Sequence, residues 1–289
     1  MKSNLIFIIT LLLIIPLNSC KQKEKKSDMN IIYLHHSTGG VIWQGKKASI
    51  VTRAAGKIST KLAETIGNKA KLPLLFDNYN KVNNKKYIIK EMAFPKASPY
   101  GWHNYPYDYY NIWVKNAGNE PFMEEPTLEM LTKQYQVVIF KHCFPVSRVQ
   151  VDQDSADINS DYKSLSNYKL QYAALRDKLH KFPDTKFILF TGAALVKSSV
   201  SEDEAKRARE FFTWVTDEWN LPGDNIHIWD LYSIETEGGL YFKEEYATSP
   251  NDSHPNVIFA SKAAQLLFSR IVDVIDNDGT RTTLTGEKI

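Results

Sequence analysis

Gln136-Val137-Val138-Ile139-Phe140 is the segment that most narrows what this chain can become. After the glutamine no polar residue interrupts it, and two of its side chains are β-branched valines beside an isoleucine. A strand with water on one face alternates apolar and polar residues, so a continuous apolar run must be covered on both faces. That is the environment of a parallel sheet packed between helices. Lys186 to Phe190 and Asn225 to Leu231 have the same strand character, and Asn30 to His35 and Tyr87 to Phe94 supply two further candidates. Helical spacing lies between them: Ile58, Leu62 and Ile66 in Lys57 to Ile66, Leu128 and Leu131 in Pro121 to Tyr135, and Tyr168, Tyr172, Leu175 and Leu179 in a later segment. Ser201 to Trp219 opens with Ser201 and Glu204 at capping-box spacing, and Asn256 to Ile275 reads as the last helix. About five strands alternating with helices predict an α/β fold with a mostly parallel sheet.

The N-terminus is a separate matter. Lys2 followed by apolar residues from Leu5 to Leu17 reads as a targeting segment, too short for the roughly twenty residues a membrane-spanning helix needs. It ends in Leu17-Asn18-Ser19-Cys20, which resembles the bacterial lipobox, whose cysteine is lipidated and becomes the mature N-terminus. An ordinary secretory signal would export the chain equally. Residues 1–19 are therefore expected to be a lipoprotein signal peptide, and residues 20–29, polar and charged, a tether to the membrane through Cys20. Lys21 is not the aspartate that retains some lipoproteins at the inner membrane, so a bacterial outer membrane is the expected location. With Cys20 acylated, Cys143 is left without a disulfide partner.

Residues 30–275 contain no Pro/Gly/Ser-rich linker and are read as one domain, followed by a polar tail, 276–289, expected to be loose. Lys and Arg number 36 against 33 Asp and Glu, a net charge of +3. Lysines flanking the signal account for that excess, so the domain is near neutral and nucleic-acid binding has no support.

Two motifs carry chemistry. Ile31-Ile32-Tyr33-Leu34 feeds into His35-His36-Ser37-Thr38-Gly39-Gly40, and Asn251-Asp252-Ser253-His254-Pro255-Asn256 precedes the last helix. A serine hydroxyl needs an imidazole to take its proton, and the imidazole needs a carboxylate to fix its tautomer. Ser37 falls at the carboxyl end of a strand, where parallel sheets bind ligands. Each motif alone also has a plain structural reading: a glycine-bearing turn for the first, a helix start for the second. Adjacent His35 and His36 point to opposite strand faces and do not suit one metal ion, so neither metal nor cofactor is expected. Cys143 admits two readings, an activated thiol or a small buried hydrophobe.

Together the two motifs resemble the SGNH (GDSL-like) hydrolases. The resemblance implies a flavodoxin-like three-layer α/β/α sandwich, with Ser37 as nucleophile, His254 as general base and Asp252 completing the triad. Here His-His-Ser-Thr-Gly-Gly replaces the family's Gly-Asp-Ser-Leu block, and Asn251 stands where the family's aspartate commonly does, three residues before the histidine. The family's oxyanion hole takes a glycine after the second strand, a role that falls to Gly101, and an asparagine after the third. This chain has Lys141-His142-Cys143 there, which puts His142 in the donor's place.

Tyr100 to Trp113 is dense in aromatics interleaved with polar groups, without strand or helix periodicity. Rings with polar tips bind sugar faces, which makes Trp102, Tyr105 and Tyr107 candidate substrate contacts; a satellite cluster packed over the sheet edge is the structural alternative. The expected activity is hydrolysis of acyl esters, acetyl above all, on a carbohydrate or polysaccharide. The alternatives are an inactive glycan-binding lipoprotein of the same fold, and a lipase or thioesterase.

Overall fold

In a computed structural model that describes residues 28–45, 69–96, 98, 100 and 103–289, five strands lie side by side and run the same way. They are β1 (Asp28–His35), β2 (Lys86–Ala93), β3 (Val137–Phe140), β4 (Lys186–Phe190) and β5 (Ile226–Trp229). Their order is β2-β1-β3-β4-β5, and every neighbouring pair is parallel. This is the flavodoxin-like order, so the expected fold class is the observed one. The helices are α1 (Thr38–Gln44), α2 (Lys71–Asn83), α3 (Pro106–Tyr109), α4 (Leu128–Thr132), α5 (Leu165–Leu179), α6 (Glu202–Trp214), α7 (Leu231–Thr236) and α8 (Val257–Asn277). α1, α2 and α8 pack together, and α5 packs on α6. The predicted signal peptide and the helix expected over Lys57 to Ile66 lie outside the described residues.

Burial follows position in the sheet. Every residue of β3 and β5 is buried, as are Phe187 to Phe190 of β4, because helices cover both faces. β2 is an edge strand: Lys86, Lys90 and Glu91 are exposed, and charged side chains on an edge discourage pairing with another chain. Aromatic rings fill both interlayer spaces, with Tyr33 against Trp43 on the α1 face and Tyr172 against Phe211 and Trp219 beneath α5 and α6.

Three local expectations change. The helix read over Pro121 to Tyr135 shrinks to α4, because Phe122 and Glu125 close a tight bridge through Met123 and Glu124 in left-handed conformations, and Pro126 disfavours helix at the residue before it. Leu128 and Leu131 are buried nonetheless. The strand read to Leu231 stops at Trp229, since the Asp230 side chain accepts from Ser233 N–H and caps α7. α6 keeps its Ser201–Glu204 capping box but passes at Val215 into a π-helical turn ending at Trp219.

The tail is not loose. α8 runs to Asn277, and the segment beyond it folds back over the β5 end of the sheet. Asp230 N–H donates to Leu284 O at 2.9 Å and the Trp229 indole to Thr285 O at 2.9 Å. Buried Arg270 reaches Ile228 O and Gly279 O, while the Thr282 amide and hydroxyl both donate to Asp273 Oδ2 at 2.8 and 2.7 Å. The segment is polar because it satisfies buried polar groups, a role composition does not reveal. Thr282→Val keeps the shape but removes a donor to a buried carboxylate, and should lower the unfolding free energy by about 1–3 kcal/mol in urea titrations followed by tryptophan fluorescence.

Candidate active site

The turn after β1 is unusual in its backbone. Ser37 has φ 43° and ψ −105°, a positive-φ conformation outside the left-handed helical basin that a non-glycine residue adopts at a cost of about 1–3 kcal/mol. Gly39 makes the turn possible: a Cβ there would lie 2.5 Å from His35 Cβ and 2.8 Å from Tyr33 Oη. The Tyr33 hydroxyl donates to Gly39 O at 3.2 Å and fixes the turn from below. Ser37 occupies the N-cap position of α1, where serine ordinarily accepts a helix N–H. It makes no such bond, and its Oγ is hydrogen-bonded instead to His254 Nε2.

His254 arrives on a separate two-stranded antiparallel ribbon, β6 (Ala247–Ser249) and β7 (Asp252–Pro255). Residues two apart on a strand share a face, so Asp252 and His254 project together and Ser253 projects opposite. Asp252 Oδ1 accepts from the His254 backbone N–H at 3.0 Å and pairs with ring Nδ1 at 2.5 Å. Those bonds, the backbone one foremost, hold its carboxyl below the ordinary carboxylate range. Ser253, buried, accepts from Val196 N–H at 3.0 Å and ties the ribbon to the loop after β4. Asn256 caps α8 by accepting from Phe259 N–H at 3.0 Å. The Phe144 ring meets His254 edge-on, with centroids 5.1 Å apart. The structure thus joins Ser37, His254 and Asp252 in one hydrogen-bonded series, with His254 Nε2 toward the hydroxyl and Nδ1 toward the carboxylate.

Other expected site residues stand differently. His142 is fully buried, its Nε2 bonded to the Tyr172 hydroxyl at 2.6 Å and its ring against Tyr109, so it is closed to an ester oxygen. Burial, and next the nearby Lys141 charge, push its imidazole well below the usual range. Tyr105 is also buried, with its hydroxyl donating to Asp161 O at 2.9 Å and Lys163 above its ring, which corrects its reading as a free sugar platform. Tyr107 is half-buried, its hydroxyl accepting from Asn111 Nδ2 at 3.1 Å. Gly101, Trp102 and Cys20 lie outside the described residues. Most of the aromatic segment is core: Tyr109 and Trp113 are fully buried, and Trp113 stacks on Phe94 at 4.9 Å. Its missing periodicity has a cause, since α3 passes directly into a π-helical stretch from Tyr110 to Lys115.

Two charged residues at the same sheet edge escaped sequence reasoning. Lys141 directly follows β3, and Glu235 lies in α7 after β5; both are fully buried. Lys141 Nζ has no hydrogen-bond partner, while Glu235 accepts from Ala194 N–H at 2.6 Å through one oxygen only. Burial pushes the Lys141 ammonium down and the Glu235 carboxyl up to about 8, each opposed in part by the other's charge. A lysine at the end of a wholly apolar strand was the available signal. His36, on β1's side of Lys141, is lowered by burial and then raised in part by its bond to the Pro95 carbonyl. Among the described residues no group of three or more His, Cys, Asp or Glu is placed to hold a metal ion.

Comparison with known proteins finds no match to this chain among family models, curated proteins or solved structures.

Glu235 gives the structure a pH dependence with a definite sign. Between about 4.5, its ordinary value, and about 8, the folded state keeps a proton that the unfolded state has released, so Glu235's contribution to stability falls as pH rises through that window, while the lowered imidazoles of His142 and His227 act oppositely over its acid part. Asp108, raised to about 7 chiefly by burial, acts in the same direction as Glu235. Relative to wild type, Glu235→Gln should gain urea midpoint at pH 8.5 compared with pH 5, read on both proteins at both pH values.

Proposed function

We propose that this chain is a serine esterase of the SGNH-like type that removes acyl groups, acetyl above all, from a carbohydrate. The observation that carries the proposal is the series Ser37 Oγ, His254 Nε2, His254 Nδ1 and Asp252 Oδ1 at the carboxyl edge of a parallel sheet. In the reaction Ser37 Oγ attacks the ester carbonyl while His254 Nε2 takes its proton. The tetrahedral intermediate collapses as His254 returns that proton to the departing sugar hydroxyl. Water, deprotonated by the same imidazole, then attacks the acyl-serine; the acyl–Oγ bond breaks as His254 returns that proton to Ser37 Oγ, and the acid leaves. Asp252 holds the tautomer that keeps Nε2 free to accept. The Ser37 backbone N–H is one oxyanion donor, and the strained turn that presents Oγ above the sheet supports the nucleophile's role. The Ser-His-Asp chemistry itself requires no cofactor.

The carbohydrate and the membrane anchor rest on sequence features: Trp102 and half-buried Tyr107 for the sugar, and Leu17-Asn18-Ser19-Cys20 for lipidation and export to a bacterial outer membrane. A glycan-binding protein of the same fold without catalysis is the competing reading, favoured by the burial of His142 away from the donor role.

A fluorophosphonate probe separates the two. Wild-type protein should label and should release acetate from an acetylated oligosaccharide, and Ser37→Ala should do neither. Asp252→Asn should lower kcat by up to about 10⁴ with the fold intact. A folded wild type that takes up no probe would leave the binding reading standing.

A further inference from the structure

A circuit of contacts runs from the end of β1 back to the hydroxyl and imidazole and passes through one residue, Asn104. Beside the end of β1, Phe94 N–H donates to His35 O at 3.4 Å, and His36 Nε2 bonds to Pro95 O. Asn104 Nδ2 donates to Phe94 O at 3.1 Å, and the Asn104 carbonyl accepts from Cys143 N–H at 2.9 Å. The residue after Cys143 is Phe144, whose ring rests against His254, and His254 closes the circuit at Ser37. β1 lies between β2 and β3, so Asn104 spans the end of β1 from the loop after one neighbour to the loop after the other.

Asn104 suits that position for identifiable reasons. Its φ is 47°, a left-handed conformation that asparagine tolerates better than most residues. The residue is fully buried, yet its Oδ1 has no partner and one Nδ2–H suffices for Phe94 O. A buried side chain with half its capacity unused is poorly explained by stability alone, because buried polar atoms are normally bonded.

We propose that Asn104 is a positioning residue that sets the separation between the Phe94–Pro95 and Cys143–Phe144 walls, and through Phe144 the alignment of His254 on Ser37. This inference rests on the esterase reading. Asn104 acts through its neighbours and touches no reacting atom. Misplacement of reacting groups by about 1 Å costs roughly 10²-fold in rate, which is the scale of effect its loss should have.

Asn104→Gly retains the left-handed backbone and the carbonyl that holds Cys143 while deleting the amide. Asn104→Asp keeps the shape but sets a carboxylate against Phe94 O. With p-nitrophenyl acetate, N104G should lose about 10–10²-fold in kcat, with KM within about twofold and the rate of fluorophosphonate labelling falling in parallel. N104D should lose at least as much, and both variants should remain folded with a lowered melting temperature, since each leaves the buried Phe94 O without its donor. Either variant, folded and with kcat within twofold of wild type, overturns the proposal. Variants that do not fold overturn it as well, since Asn104 is then a structural residue. Wild-type protein that neither turns over nor labels overturns the esterase reading, and this inference with it; an active wild type with an unaffected N104G overturns this inference alone.

Discussion

Parallel hydrogen bonding of β1 to both β2 and β3 is the constraint from which the site follows. Leu34 stands in register with Met92 on one side and Phe140 on the other, so the three strands end together. Parallel neighbours demand crossover connections, and every loop that begins such a crossover leaves from the same edge. His36-Ser37, Phe94-Pro95, Lys141 to Phe144 and the segment after β4 are brought together by that rule alone. β1 is also where the chain reverses its direction of growth across the sheet, and the crevice at such a point is where doubly wound folds place their ligands. Nothing in the serine motif itself would put it opposite a histidine 217 positions away.

The edge that gains these loops also collects unpaired buried polar atoms, a kind found elsewhere at Gln171 Oε1 on α5. Thr38 Oγ1, Asn104 Oδ1, Lys141 Nζ, His142 Nδ1 and Glu235 Oε1 are all buried without a hydrogen-bond partner, and all lie on segments leaving the carboxyl ends of strands. Such atoms cost about 1–3 kcal/mol each, and a fold tolerates them where a rigid, low-dielectric setting for charge matters more than stability. Lys141 and Glu235 are both fully buried, and burial pushes each toward its neutral form, the lysine down and the carboxyl up to about 8. At the opposite extreme, the tail beyond α8 spends its polar groups on satisfying Arg270, Asp273 and Trp229.

The strands were legible in the sequence because burial on both faces leaves no polar residue in Val137 to Phe140, and little can imitate that pattern. Ser37, His254 and Asp252 were legible because their residue types and order fit one chemistry. What stayed hidden has physical causes. The alternation of β7 was masked by its shortness, so the aspartate looked displaced when the strand geometry accommodates it. The π-helical stretch after α3 has its own period, and the segment read as irregular although Tyr109 and Trp113 are core. His142 and Lys141 are neighbours just past the end of β3, and that His142 is the one to meet Tyr172 of α5 depended on a backbone course that no local pattern states. The tail's hydrogen bonds run to groups on β5 and α8 that are distant in sequence or defined only by the fold.

The ribbon that carries Asp252 and His254 is not part of the five-stranded sheet that carries Ser37, and this separation has a consequence for how such proteins are found and how they diverge. An acid and a base on a strand share a face at a spacing of two; on a helical turn the same pair would need three or four. The interval between them therefore records the local backbone. A lineage could rebuild this ribbon and change the interval without disturbing any layer of the core, and a search pattern that insists on one interval would pass over chains that bring the same three side chains together on another scaffold.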